Sequence, residues 1–383
     1  MPYAALATEL ADLDARGLRR TRRVVETPQG VRVTVDGRAY VAFCSNDYLG
    51  LAAHPELIEA ARAGAARYGV GAGASHLIAG HCRAHHELEG ALAEFAARPR
   101  ALLFSTGYLA NIAVVTALVG RGDAVFADRL NHASLNDAAV LSRAEFRRYR
   151  HGDLAALESL LAASRARRKL VLTDAVFSME GDIAAVPEIA DLCERHGAWL
   201  LLDDAHGFGV LGPGGRGTLA HLRVESPRVI YMATLGKAAG VAGAFVAGDP
   251  PLVDTLIQRA RAYVYTTAAP PLLAHALLKS LEIIARDEWR RERLRALARR
   301  FQERLRPGPW RLLPSASAIQ PLVIGANAEA VAVSDALGRA GLLAPAIRPP
   351  TVPAGTARLR ISLSAAHEQS DVERLADALN ALQ

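Results

Sequence analysis

The chain has 383 residues, 51% of them hydrophobic, enough for a large core shared between more than one domain. Its net charge of +6 is spread over arginines that alternate with acids and apolar residues, and only 5% of residues are aromatic, so no stacking platform accompanies the charge and nucleic-acid binding is set aside. The 3 well-separated cysteines, Cys44, Cys82 and Cys193, make neither a disulfide framework nor a four-cysteine metal site, and no long apolar segment reads as a signal peptide or membrane span, which points to a reducing cytoplasm.

Residues 4–23 are expected to form an amphipathic helix, with Leu6, Leu10, Leu13 and Leu18 on one side and Arg19 to Arg23 at its end. Those arginines are either a solvated helix end or an arm for an anionic substrate, and both readings stand at this point. Val31 to Val35 and Arg38 to Phe43 alternate around Asp36-Gly37, a hairpin signal that delivers the polar loop Cys44 to Gly50. Pro55 to Tyr68 reads as a helix with proline near its start. The glycine-rich stretch Gly69 to Ser75 follows a helix rather than a strand, which argues against a dinucleotide fingerprint. His81 and His85 have the helical spacing of a metal pair but lack the central glutamate of the zinc-protease motif; helix-opening polar residues explain them as well, and no metal is assigned.

From Ala101 onward strand and helix alternate, the pattern of a largely parallel sheet with helices on both faces. Strands are expected at Ala101 to Phe104, Ala124 to Ala127, Leu170 to Thr173, Trp199 to Leu202, Val229 to Met232 and Ala244 to Ala247. Helical periodicity fills Tyr108 to Val119, Asp153 to Ala163 and Pro187 to His196. Ser105 to Asn111 joins a strand to a helix N-terminus, a natural phosphate seat. In such sheets ligands gather at the carboxyl ends of strands. There the sequence presents His132, Ser178, Asp203 with His206, and Thr234 with Lys237.

Lys237 stands out because the chain has only 3 lysines, Lys169, Lys237 and Lys279, among 45 basic residues. Lys169 and Lys279 read as solvated surface. A guanidinium stays charged, whereas a lysine among small and apolar neighbours can lose its proton and condense with an aldehyde. Pyridoxal phosphate requires that amine together with a carboxylate that keeps its ring nitrogen protonated, and the apolar run Trp199 to Leu202 ends in two carboxylates, Asp203 and Asp204, in the right part of the sheet.

Residues 252–305 read as a long helical connection broken at Tyr265 to Pro271, and Pro307-Gly308-Pro309 marks a composition break before a small α+β segment. The expected division is an N-terminal helix and hairpin over 1–50, a large cofactor-binding domain over 51–290 and a small C-terminal domain over 291–383.

The ordered set Ser45-Asn46-Asp47-Tyr48-Leu49-Gly50, Gly107-Tyr108-Leu109-Ala110-Asn111, Asn131-His132-Ala133-Ser134, Val176-Phe177-Ser178-Met179, Asp203-Asp204-Ala205-His206-Gly207 and Thr234-Leu235-Gly236-Lys237 resembles the α-oxoamine synthases. The resemblance covers nearly the whole chain. It implies an α/β protein of the aspartate-aminotransferase-like type (fold type I) with a small C-terminal α+β domain, binding pyridoxal 5′-phosphate and condensing an amino acid with an acyl thioester. Residues 347–360 are most similar to the branch serving biotin synthesis, which uses L-alanine and a pimeloyl thioester carried by coenzyme A or an acyl carrier protein. Glycine-using and serine-using relatives are the alternatives, while a cofactor-free binding protein would leave Lys237, Asp203 and His132 without a common purpose.

Carried over, the resemblance makes Lys237 the residue that holds the cofactor aldehyde, Asp203 the partner of the ring nitrogen, His206 a donor to the ring oxygen and His132 a stacking group. Lys237, His132 and Asp203 are the implied catalytic residues. Gly107, Tyr108, Ser178 and Thr234 match cofactor-holding positions, and Thr267 a position that reaches the phosphate of the partner in a homodimer. Arg19, Asn46, Thr351 and Arg360 match substrate positions, with Arg20 an equal alternative to Arg19.

Overall fold

The computed structural model describes residues 3–306 and 308–383; Met1, Pro2 and Pro307, the first residue of the composition break, lie outside the described residues. The described residues divide into two compact units, one drawn from residues 3–46, 179–181, 293–306 and 308–383, the other from Asp47–Ser178 and Asp182–Glu292.

The second unit is built on a 7-stranded sheet in the order Arg100–Phe104, Ala244–Gly248, Val229–Thr234, Trp199–Asp203, Lys169–Asp174, Ala124–Asp128, Glu145–Tyr149. Only Ala244–Gly248 runs antiparallel to its neighbours. The central strands are buried along almost their whole length, as strands covered by helices on both faces must be, and they therefore read as unbroken apolar runs. Leu102, Val125, Leu170, Leu201, Ile230 and Val246 of the sheet share one core with Val114 and Ala117 of helix Gly107–Leu118 and Ala138 of helix Ala133–Ser142. One strand, Glu145–Tyr149, went unread in the sequence because an edge strand with exposed Glu145, Arg147 and Arg148 shows no apolar run. Lys169 also differs from expectation: it is half-buried, and its Nζ donates to the Leu161 carbonyl at 3.0 Å.

In the first unit the hairpin forms as read, Arg32–Val35 pairing antiparallel with Arg38–Ala42, and Asp36 and Gly37 both take positive φ at 48° and 75°. Leu342–Leu343 adds to it in parallel. A second sheet of 4 strands runs in the order Arg311–Leu312, Ile319–Gly325, Ala357–Ser362, Ala346–Ile347. The first helix is shorter than its leucine spacing suggests, Ala4–Ala15, because Gly17 turns the chain at φ 61° and leaves Arg19 to Arg23 outside it.

The loop after Val229–Thr234 is fixed by its own backbone: Leu235 N donates to Gly243 O at 2.8 Å and Gly240 N to Lys237 O at 2.8 Å, while Ser280 Oγ holds Ala239 O at 2.7 Å. Gly240 sits at φ 69°, and a Cβ there would lie 2.7 Å from the carbonyl carbon of Leu51. Gly240→Ala is therefore expected to cost roughly 1–3 kcal/mol of unfolding free energy in urea titration, the range for a strained non-glycine position.

Candidate active site

Four loops at the carboxyl ends of adjacent parallel strands supply the site within the second unit. Asp203 is the last residue of Trp199–Asp203 and only 4% exposed. Its Oδ1 accepts Ala205 N at 3.0 Å and its Oδ2 accepts Asn111 Nδ2 at 2.7 Å. The same Asn111 amide donates to Ser134 Oγ at 2.9 Å, and Ser134 Oγ lies 2.7 Å from His132 Nδ1. The backbone N–H of Ser134 donates to the same Nδ1 at 3.3 Å, which makes that nitrogen an acceptor and leaves the ring proton on Nε2. The Oδ1 of Asn111 is buried with no hydrogen-bond partner among the described residues, the cost of turning both amide hydrogens toward Asp203 and Ser134.

The backbone N–H of His132 donates to Asp174 Oδ2 at 2.6 Å, and Asn131 ties the same loop to the neighbouring strand through Leu172 O and Asp174 N. His132 itself is exposed on the site surface. Lost hydration lowers its pKa; the Asp203 carboxylate opposes that shift and the Lys237 ammonium reinforces it, so both charges lie within electrostatic reach of the His132 ring. Asp174 is raised well above the usual carboxyl range by burial, and next by the charge of Asp203.

Lys237 is half-buried, its Nζ 2.9 Å from His206 Nε2, and His206 Nδ1 is 2.7 Å from the hydroxyl of fully buried Tyr48. A proton on the amine can thus be held by the imidazole, whose orientation Tyr48 maintains. Asp204, adjacent in sequence to Asp203, does something else: it accepts Thr218 N at 2.7 Å, Thr218 Oγ1 at 2.5 Å and Tyr231 Oη at 2.7 Å, with burial lifting its pKa to about 6. It is a structural carboxylate.

Gly107 opens helix Gly107–Leu118, whose N-cap Thr106 accepts Leu109 N on Oγ1 at 3.2 Å and Ala110 N on its carbonyl at 3.0 Å. Tyr108 is exposed and its hydroxyl donates to Asp137. Thr234 Oγ1 donates to Gly243 O at 3.1 Å, and Thr267 lies exposed between helices Arg261–Val264 and Pro271–Arg286. Ser178 follows Phe177, in a turn clasped by His151: Nδ1 meets Asp128 Oδ1 at 3.1 Å, Nε2 meets Asp182 Oδ2 at 3.0 Å, and the ring stands edge-on to Phe177. Those hydrogen bonds to Asp128 and Asp182 raise the His151 pKa to about 10.

Of the substrate positions, all in the first unit, Arg360 Nη1 donates to Asn46 Oδ1 at 3.1 Å. Arg20 Nη2 donates to Thr351 Oγ1 at 3.2 Å, whereas Arg19 pairs with Asp14 at 2.6 Å. Arg19, Arg20, Arg348 and Thr351 line one cavity of about 340 Å³. Tyr48, Asn111, Ser134 and Asp174 had no role assigned from sequence. Ser134, two residues past His132, and Asn111, one helical turn past Gly107, could have been found by asking which polar residues next to the site end up buried.

The second unit fits pyridoxal phosphate on its own geometry: an amine beside an imidazole, a nearly closed carboxylate with one donor per oxygen and lone pairs to spare for a ring N–H, an exposed flat ring, and a helix N-terminus with N–H groups to offer a phosphate. The family model for class I and II aminotransferases matches residues 38–379.

The chain belongs to that family.

It is 66% identical over 364 residues to 8-amino-7-oxononanoate synthase of Nitrosospira multiformis, covering 95% of this chain and 92% of the relative. It is 63% identical to the synthase of the same name from Nitrosomonas europaea, covering 99% of each chain. Among solved structures it resembles a variant of serine palmitoyltransferase from S. paucimobilis with bound pyridoxal phosphate and myriocin, at a TM-score of 0.93 and 29% identity, covering 100% of this chain and 97% of that one. The expected type I aminotransferase fold is thereby borne out, and the cofactor is pyridoxal 5′-phosphate.

His151→Gln tests the clasp under the Ser178 turn. The folded state holds the His151 proton more tightly than the unfolded chain, so its stabilisation is full below pH 6.5 and is lost as pH rises toward about 10. Urea titrations of wild type and variant are expected to differ by about 2 kcal/mol at pH 6, the scale of a charge-assisted hydrogen bond, and to converge across that window.

Proposed function

We propose that this chain condenses L-alanine with a pimeloyl thioester, on coenzyme A or an acyl carrier protein, giving 8-amino-7-oxononanoate, carbon dioxide and the free carrier thiol, a step of biotin biosynthesis. The observation that carries this reading is the Lys237–His206–Tyr48 line set beside Asp203–Asn111 in a chain 66% identical to a synthase of that name. Solved serine palmitoyltransferases share the fold at 29–32% identity, about half the 63–66% shared with the relatives that carry the synthase name, which favours the alanine-using reading.

Bound pyridoxal phosphate supplies an aldehyde that takes an amine and a ring that draws off the electron pair left when a bond to Cα breaks. Asp203 holds the proton at the ring nitrogen. Asn111 keeps the carboxylate oriented for that task, and near-complete burial of Asp203 strengthens the attraction by excluding water. His132 covers a ring face as a neutral imidazole. Gly107, Tyr108, Ser178 and Thr234 hold the cofactor, and Thr267 reaches across to the second copy in a homodimer.

Lys237 Nζ removes the Cα proton of alanine, and His206 steadies the resulting ammonium. Arg360 takes the alanine carboxylate through a two-pronged hydrogen bond, which aligns the bond to be broken. The alanine Cα then displaces the carrier thiolate from the pimeloyl carbonyl, the thiolate takes a proton from solvent, the carboxylate leaves as carbon dioxide, and Lys237 returns its proton to that carbon. Asn46, Thr351 and an arginine from Arg19 or Arg20 meet the acyl substrate. No helix among the described residues is long and apolar enough to cross a membrane, and a cytoplasmic location suits a cofactor-dependent biosynthetic step.

Titration of the holoenzyme with L-alanine, glycine and L-serine, followed by visible absorbance, tests the amino acid. A selective response to L-alanine supports the proposal, and a preference for glycine or serine refutes the substrate. General base catalysis alone is worth about 10²–10⁴-fold, so Lys237→Ala is expected to lose at least that much turnover with pimeloyl-CoA. Asp203→Asn is expected to keep the fold by circular dichroism while losing turnover of the same order.

A further inference from the structure

A second cluster of chemistry-bearing side chains sits in the second unit and takes no part in the reaction above. The segment His76–Gly80 forms a π-helical turn, and helix Arg83–Phe95 follows directly. This geometry folds His76 back against two later histidines. Nitrogen atoms of His76, His81 and His85 lie within 4.8 Å of one another, the only such histidine, cysteine or carboxylate group among the described residues. We propose that His76, His81 and His85 bind one divalent transition-metal ion of the Zn²⁺ class.

The arrangement of donors supports this. His76 Nδ1 and His81 Nδ1 are 3.0 Å apart, close to the spacing of about 3.3 Å between two nitrogens bonded tetrahedrally to zinc at about 2.0 Å. His85 Nε2 meets the Ala269 carbonyl at 2.8 Å, and a carbonyl can only accept, so the ring proton is on Nε2 and the lone pair on Nδ1, where it accepts the Cys82 backbone N–H at 3.2 Å. That is how a backbone carbonyl fixes the tautomer of a metal-ligating histidine. On the next ring, His81 Nε2 lies 3.9 Å from Glu89 Oε2, beyond hydrogen-bond length but on the side away from the Nδ1 that meets His76. His76 is held by stacking on Tyr263, ring centroids 4.9 Å apart and planes 11° from parallel.

Hydrogen bonds close both His76–His81 and His85, so an ion entering here takes the His85 Nδ1 lone pair in exchange for the Cys82 N–H; the observation that points to an ion is the gathering of three imidazoles with donor atoms within 4.8 Å of one another. The proton now shared by His76 and His81 moves to the far nitrogen of its ring when the ion enters, so binding needs no net proton loss from the imidazoles. Water or the Cys82 thiolate completes four-coordination, since Cys82 Sγ lies 3.4 Å from His85 Nδ1. The three imidazoles are neutral intermediate-softness donors, which suits zinc, nickel or copper better than magnesium or calcium.

The test uses the pyridoxal-phosphate-loaded protein, freed of metal with a chelator, incubated with ZnCl₂ and passed through a desalting column before elemental analysis. Wild type is expected to retain about one zinc per chain, as the single cluster requires. His76→Ala and His81→Ala, each verified as folded by circular dichroism, are expected to lose it. Failure of the wild-type protein to retain zinc overturns the proposal, as does equal retention by the His76→Ala and His81→Ala proteins, which would place the ion at another site.

Discussion

The site depends on one geometric constraint, that neighbouring strands of the central sheet run parallel and end on the same edge. Lys169–Asp174, Trp199–Asp203 and Val229–Thr234 are hydrogen-bonded in sequence across the sheet, so the residues just past them, far apart along the chain, arrive side by side. Burial of both sheet faces secures this alignment, because apolar strands such as Leu170 to Leu172 and Leu200 to Leu202 cannot shift register without exposing what they bury. The chemistry is therefore placed by the core and not by the loops alone.

Polar contacts among the loops then convert proximity into orientation. The run Asp203–Asn111–Ser134–His132 joins a strand end, a helix one turn past its N-terminus and the start of another helix. The Asn111 amide makes Asp203 an acceptor, and the Ser134 backbone N–H on Nδ1 makes His132 a neutral ring. The orphaned carbonyl oxygen of Asn111 is the local cost of that arrangement. On the other side, Tyr48 fixes His206 and His206 meets Lys237, so the reactive amine also has an oriented neighbour.

Asp203 and Asp204 show how strongly environment outweighs residue type. Both are buried carboxylates at the same strand end, yet Asp204 accepts from Thr218 and Tyr231, while Asp203 has one donor per oxygen and lone pairs to spare. Glycine enforces the difference around Asp204, since a Cβ at Gly217 would lie 2.2 Å from Asp204 Oδ2. The two acids could not have been given these separate tasks from composition or spacing.

Most of the architecture was legible because it is written in local physics. Buried parallel strands show as apolar runs, Asp36-Gly37 as a hairpin turn, Pro55 as a helix start, and the rarity of lysine made Lys237 conspicuous. What stayed hidden was whatever depends on distant partners: the edge strand Glu145–Tyr149, the reversed direction of Ala244–Gly248, the inward-facing Asn111 and Ser134, and the gathering of His76 with His81 and His85. The amino-acid sequence by itself determined which segments would be strands and helices and which amine could serve a cofactor, because periodicity and side-chain chemistry are properties of neighbouring residues. Only the tertiary structure decided which carboxylate is free to act, which ring is held neutral and which three histidines meet, because hydrogen bonding and desolvation depend on what the fold brings close.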